Sequence, residues 1–117
     1  MNIESFREYC LSKKGVTEGF PFDRQTLVFK IVGKMFALTD IDSFAGISLK
    51  CDPEHAIDLR ERYPAVTPGY HMSKTHWNTV AIDGSIPDKL LFEWTDHSYN
   101  LVVSGLTKKQ KYELLQM

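Results

Sequence analysis

Three β-patterned runs, Thr26–Val32, Met35–Thr39 and Gly46–Cys51, follow one another with connectors of at most about half a dozen residues. A parallel crossover needs a dozen or more residues, so these runs are confined to antiparallel neighbours. Leu27, Phe29 and Ile31 alternate with Val28, Lys30 and Val32, and Gly33-Lys34 supplies a tight turn into Met35-Phe36-Ala37-Leu38-Thr39. In the third run Ile47, Leu49 and Cys51 fall on one face and Ser48 and Lys50 on the other. The predicted product is a meander with one apolar face, which must be covered by helices from elsewhere in the chain.

Helix signals lie on both sides of the meander. Ile3, Phe6 and Cys10 recur at helical spacing behind an Asn2 cap, and Gly15 follows Lys13 and Lys14 as a closing glycine. Gly19-Phe20-Pro21-Phe22 reads as a loop. Asp52-Pro53-Glu54 joins a cap side chain, a proline at the first helical position and an acid in the first turn; the helix it starts runs to Pro64. A strand over 77–82 closes at Asp83-Gly84. Ser85 with Asp88 predicts a capping pair for a helix reaching Ser104, with Gly105 as its stop, and Thr107 with Gln110 predicts a last short helix. The expected fold is α+β: one antiparallel sheet of about five strands, helices mainly on one face, in the order α-β-β-β-α-β-β-α-α.

With 117 residues and no compositional break, one domain over 1–117 is expected. The formal charge of −1 means that any nucleic-acid contact must come from a local patch. No apolar run is long enough to span a membrane or resemble a signal peptide, so a cytoplasmic chain without membrane partners is expected. Cys10 and Cys51 are too few for a disulfide framework and read as small core residues.

The polar and aromatic groups concentrate in Pro68-Gly69-Tyr70-His71-Met72-Ser73-Lys74-Thr75-His76-Trp77-Asn78-Thr79-Val80. A hairpin turning at Ser73-Lys74 sets His71 across from His76 on one face. Two imidazoles fall short of the three or four ligands of a stable zinc site, and no Cys or carboxylate is near in sequence, so neither metal nor cofactor is expected. Trp77 alternates against Val80 and Ile82; whether it lies in the core or on an outer face beside Lys74 depends on which side of the strand is buried. Lys34, Lys50 and Lys74 fall at strand ends or turns, where they form a basic stripe or simply keep those places soluble. Lys108, Lys109 and Lys111 read as a solvated helix face. Nucleophile elbows, phosphate loops and zinc-protease motifs are all missing from the sequence, so catalysis is not expected.

Val28 to Ile31, Gly33 to Ala37, Ser48 to Pro53, Pro68 to Val80 and Ser98 to Val102 together resemble the MmcQ/YjbR family of small bacterial proteins. The resemblance implies a CyaY-like or secretion-chaperone-like fold and a DNA-binding, transcription-associated role, a label grounded in structural likeness. Carried onto this chain, a nucleic-acid surface would use Lys34, Lys50, Lys74, His76 and Trp77, with Tyr70 as a second ring for a groove or an exposed base. The alternatives are a protein-interaction module, chaperone-like or homodimerising, built on Phe20, Phe22 and Trp77, and a ligand or metal site at His71 and His76.

Overall fold

The computed structural model describes residues 1–69 and 72–117. Helix α1 (Ile3–Leu11) leads into β1 (Val16–Gly19), β2 (Thr26–Ile31), β3 (Lys34–Asp40) and β4 (Gly46–Lys50). Helix α2 (Pro53–Arg62), β5 (Val66–Pro68) and β6 (Trp77–Ala81) follow, then α3 (Asp88–Ser104) and α4 (Lys108–Leu115). The strands form one antiparallel sheet in the order β1-β2-β3-β4-β6-β5. The α+β expectation is met with one more strand than about five. The addition is β1, which carries a single aliphatic residue, Val16, too little alternation to reveal a strand. It forms by pairing Val16 with Ile31 and Thr17 with Lys30, while Arg7 of α1 grips Glu18 at 2.5 and 2.7 Å.

Register fixes what each face presents. Leu27, Thr39, Ile47, Val80 and Val66 form one transverse row, and Phe29, Ala37, Leu49 and Asn78 the next. The helices cover this side, with Phe6 and Cys10 of α1, Ala56 and Leu59 of α2, Leu91, Trp94 and Val102 of α3 and Leu114 of α4 in the same core. A register shift at Phe29/Lys30 lets the consecutive residues Phe36 and Ala37 both enter it. Phe6 meets Phe29 edge-on at 5.8 Å, and Phe36 meets Tyr99 at 5.6 Å.

Local signals account for most element ends. Asn2 and Thr107 make capping boxes with Ser5 and Gln110, and Asp52 accepts from the amides of Glu54 and His55. Three differ from expectation. Helix α1 ends at Leu11 with Ser12 as its C-cap, and Gly15, with φ of 77°, serves the turn into β1 rather than closing the helix. Pro87 caps α3 without a side-chain bond; Asp88 pairs instead with the N-terminal amine at 3.2 Å, and Ser85 is turned toward Asp83. The β2–β3 turn falls on Val32 and Gly33 rather than Gly33 and Lys34, because Ile31 pairs with Lys34 and both turn residues have positive φ, 47° and 79°. Positive φ at both central positions is the two-residue geometry that matches sheet twist.

Candidate nucleic-acid interface

Among the described residues the other side of the sheet carries no helix, and its three transverse rows differ in chemistry. The central row runs from Gly19 through Val28, Leu38, Ser48 and Thr79 to Thr67. Toward one end lie Thr17, Lys30 and Met35, and then Lys50 beside Trp77. Toward the other lie Thr26 with Asp40, and Gly46 with Ala81. Because β2 and β4 end where β3 and β6 begin, Lys30, Lys34, Lys50 and the loop bearing Lys74 and His76 gather at one end of the sheet. The opposite end gathers Asp23, Asp40, Asp42 and Asp83 for the same topological reason.

The acidic end is tied down locally. Asp23 accepts from the amides of Gln25 and Thr26 at 2.8 and 2.6 Å, and these bonds hold its carboxyl below the usual range. Asp40 caps the amides of Asp42 and Ser43. Between this end and Met72 runs an open groove of about 590 Å³, floored by Leu38, Ser48 and Thr79 and walled by Phe22. Phe20 and Phe22, 47% and 63% exposed, stand on the β1–β2 loop above the sheet.

Among the sequence-predicted residues, Lys34, Lys74 and His76 are exposed and Lys50 is half-buried. Trp77 lies on the outer face, opposite to Val80, yet is only 7% exposed, so stacking of its indole on a base requires displacement of its cover. The expected two-residue turn at Ser73-Lys74 is not formed. Instead the carbonyl of Ser73 accepts from both His76 and Trp77, β6 starts only at Trp77, and His76 sits in the turn. Tyr70, and the predicted pairing of His71 with His76, lie outside the described residues. Among the described residues no group of three or more His, Cys, Asp or Glu is arranged to hold a metal, and no helix is long and apolar enough to cross a membrane.

The base of the Lys74 loop is fixed from beneath by Arg60, which donates to the Asn78 side chain and to the carbonyls of Trp77 and Lys74. Ser98 clamps the basic end from α3, donating to the Phe36 carbonyl at 2.5 Å and accepting from the Lys50 amide at 2.9 Å. Arg60, Ser98 and the outward-facing Lys30 were not singled out from sequence. The alternation around Lys30 was the signal available for it; Arg60 and Ser98 act through contacts distant in the chain and left none.

A second cluster on the helix side escaped the sequence reading. His55 of α2 and His97 of α3 meet edge-to-face at 5.1 Å beside Cys51, at a cavity of about 10 Å³ that also touches Lys50, Asn78 and Trp94. The Asp52 amide points at His97 Nε2, 3.4 Å away. Burial, then the neighbouring His55, lowers the His97 pKa, with Asp52 opposing. Burial pushes the Cys51 thiol up to about 11.

These features define a class: a single-sheet α+β domain whose helices cover one face and leave a charge-polarised face open. The chain belongs to the YjbR family, whose model matches residues 11–101. It is 40% identical over 109 residues to a relative called YbdF from Escherichia coli O157:H7, covering 92% of this chain and 89% of that protein. With a relative called YjbR from Escherichia coli strain K12 it shares 32% identity over 118 residues, the full length of both. A crystal structure of the Deinococcus radiodurans protein DR2400 superposes with a TM-score of 0.90 at 42% identity, covering 97% of this chain and 87% of that one. A Pseudomonas syringae protein structure matches at a TM-score of 0.72 and 28% identity, covering 86% and 98%.

Proposed function

We propose that the protein is a DNA-binding domain that follows the phosphate backbone with the basic end of its open sheet face. The observation that carries this reading is the convergence of Lys30, Lys34, Lys50 and Lys74 at one end of the sheet, on a chain whose net charge is −1. Among the described residues none of the four enters an ion pair, whereas Lys13, Arg7 and Arg62 all do. Lysine ammonium groups act on phosphate as point charges, and phosphate contacts carry no base sequence. With Trp77 nearly buried, the contact is predominantly sequence-independent, and its affinity belongs in the range of about 10⁻⁴ to 10⁻⁶ M typical of non-specific binding.

Fluorescence anisotropy of a labelled duplex across a salt series tests this. Four phosphate contacts give a log–log slope of about −3 to −4, and Lys30→Ala with Lys50→Ala makes it shallower by about 2. Binding that is salt-independent, or unchanged in the double variant, would remove the reading.

A further inference from the structure

The open face is self-complementary. A two-fold axis lying in the plane of the interface, perpendicular to the strands, sets two copies face to face and reverses strand direction, which lays the basic end of each over the acidic end of the other. We propose that this face pairs with a second copy of the same chain in that antiparallel arrangement.

The rotation preserves position across the sheet, so each charge meets an opposite one. Lys30 on β2 comes over the partner region where β2 starts and β3 ends, occupied by Asp23 and Asp40. Lys50 on β4 comes over the region where β4 starts and β6 ends, flanked by Asp42 and Asp83. A parallel stacking would set lysines on lysines and is disfavoured by like charge. The middle of the face is a groove, floored by Leu38, Ser48, Thr79 and Gly46 and walled by Phe22, so the copies meet along its rims and charged ends rather than floor to floor. Phe22 stands out from the rim, placed to lie along the partner copy and cover apolar surface.

Size sets the strength. Six strands about 4.8 Å apart and about five residues long span roughly 24 by 16 Å, so the face offers at most about 400 Å² before loops are counted, and less where Val28, Ser48 and Trp77 are already covered. A stable complex covers roughly 800 Å² on each partner, so this pair is a weak one that forms as concentration rises. Self-pairing covers the same lysines as the DNA reading, and the two compete where both operate; the pairing itself does not rest on that reading.

Sedimentation equilibrium of the protein alone, without nucleic acid, tests the pairing. The wild type is expected to shift toward dimer mass with concentration at low salt and to revert to monomer at high salt. One variant carries Lys30→Glu and Lys50→Glu; the other carries Asp42→Lys and Asp40→Asn, the asparagine keeping the oxygen that caps Asp42 and Ser43. Each alone weakens self-association at least tenfold, and an equimolar mixture of the two restores dimer mass, because opposite ends again meet. Phe22→Ser weakens pairing with no change of charge. A wild type that stays monomeric at near-millimolar concentration, variants that dimerise like the wild type, or a mixture that stays monomeric each overturn the proposal. DNA binding measured at micromolar protein falls in the lysine variant and does not fall in the aspartate variant, whereas self-association falls in both, so failure of either reading is visible separately.

Discussion

Arg60 of α2 and Asn78 of β6 form a polar link between helix and sheet: the guanidinium Nε donates to the amide oxygen of Asn78 at 2.6 Å. Asn78 is 2% exposed and its own amide donates to the Ala56 carbonyl. One Nη of the same arginine donates to the carbonyls of Trp77 and Lys74. The fork therefore links a helix, a strand and the end of the loop before it, which a lysine cannot do with one ammonium.

Removing Arg60 takes a donor from a nearly dry Asn78, and removing Asn78 takes an acceptor from a half-buried guanidinium. Asn78→Ala is expected to cost about 2–4 kcal/mol in urea unfolding, since it deletes an acceptor for a charged donor and leaves a void. Arg60→Lys is expected to be destabilising as well, and to speed amide exchange around Lys74 beyond any global effect. Wild-type stability in both variants would show that the network carries no net weight.

Gly69 sits where the loop crosses β6, its amide donating to the Trp77 carbonyl at 2.9 Å. A Cβ built there would lie 2.7 Å from the Trp77 Cβ and 3.1 Å from the Trp77 carbonyl oxygen. Backbone and Cβ cannot swing aside as a flexible side-chain tip can. Gly69→Ala is therefore expected to lose about 1–3 kcal/mol by overpacking, with the largest NMR shift changes at Trp77. A neutral substitution would mean that the crossing is looser than these distances indicate.

How much the sequence disclosed varies with the range of the interaction. Alternation around Leu27–Thr39 and Gly46–Cys51, and the caps at Asn2, Asp52 and Thr107, are local, and each appears where the pattern put it. Strand β1 was hidden because its formation depends on β2 and on Arg7, not on its own four residues. The wide connection between β5 and β6 replaced a tight hairpin because Arg60, from another element, holds the loop base. Lys34 and Lys50 were visible as turn and strand-end residues, but their gathering with Lys30, and the opposing aspartate end, follow from strand order. His55 and His97 lie 42 positions apart and meet only when α2 and α3 pack on the same face.

Both cysteines are free, and burial dominates both thiols, pushing Cys10 up to about 12 and Cys51 to about 11. Thiolate is the reactive form, so neither should react with a disulfide reagent at mildly alkaline pH while the chain is folded. In denaturant both should react promptly and stoichiometrically. Fast labelling of the folded protein at Cys51 would indicate that the small cavity beside His55 opens readily.

His97 links stability to acidity. Its pKa lies below the ordinary 6.5 in the folded protein, first because it is partly buried and then because His55 stands against it. The surrounding groups at this cavity are Asp52, which opposes the shift, with Lys50, Cys51 and Trp94. The unfolded chain takes up its proton near 6.5, before the folded one does, so the unfolded state binds more protons as pH falls through that window. Stability from this group is complete above about pH 7.5 and declines as pH falls below about 6.5 toward the folded value. Calorimetry across that window should show a falling Tm in the wild type and a flatter profile in His97→Gln, whose amide oxygen can still accept from the Asp52 N–H. The ring proton of His97 followed by NMR should titrate below 6.5; a midpoint at or above it would reverse the sign of the effect.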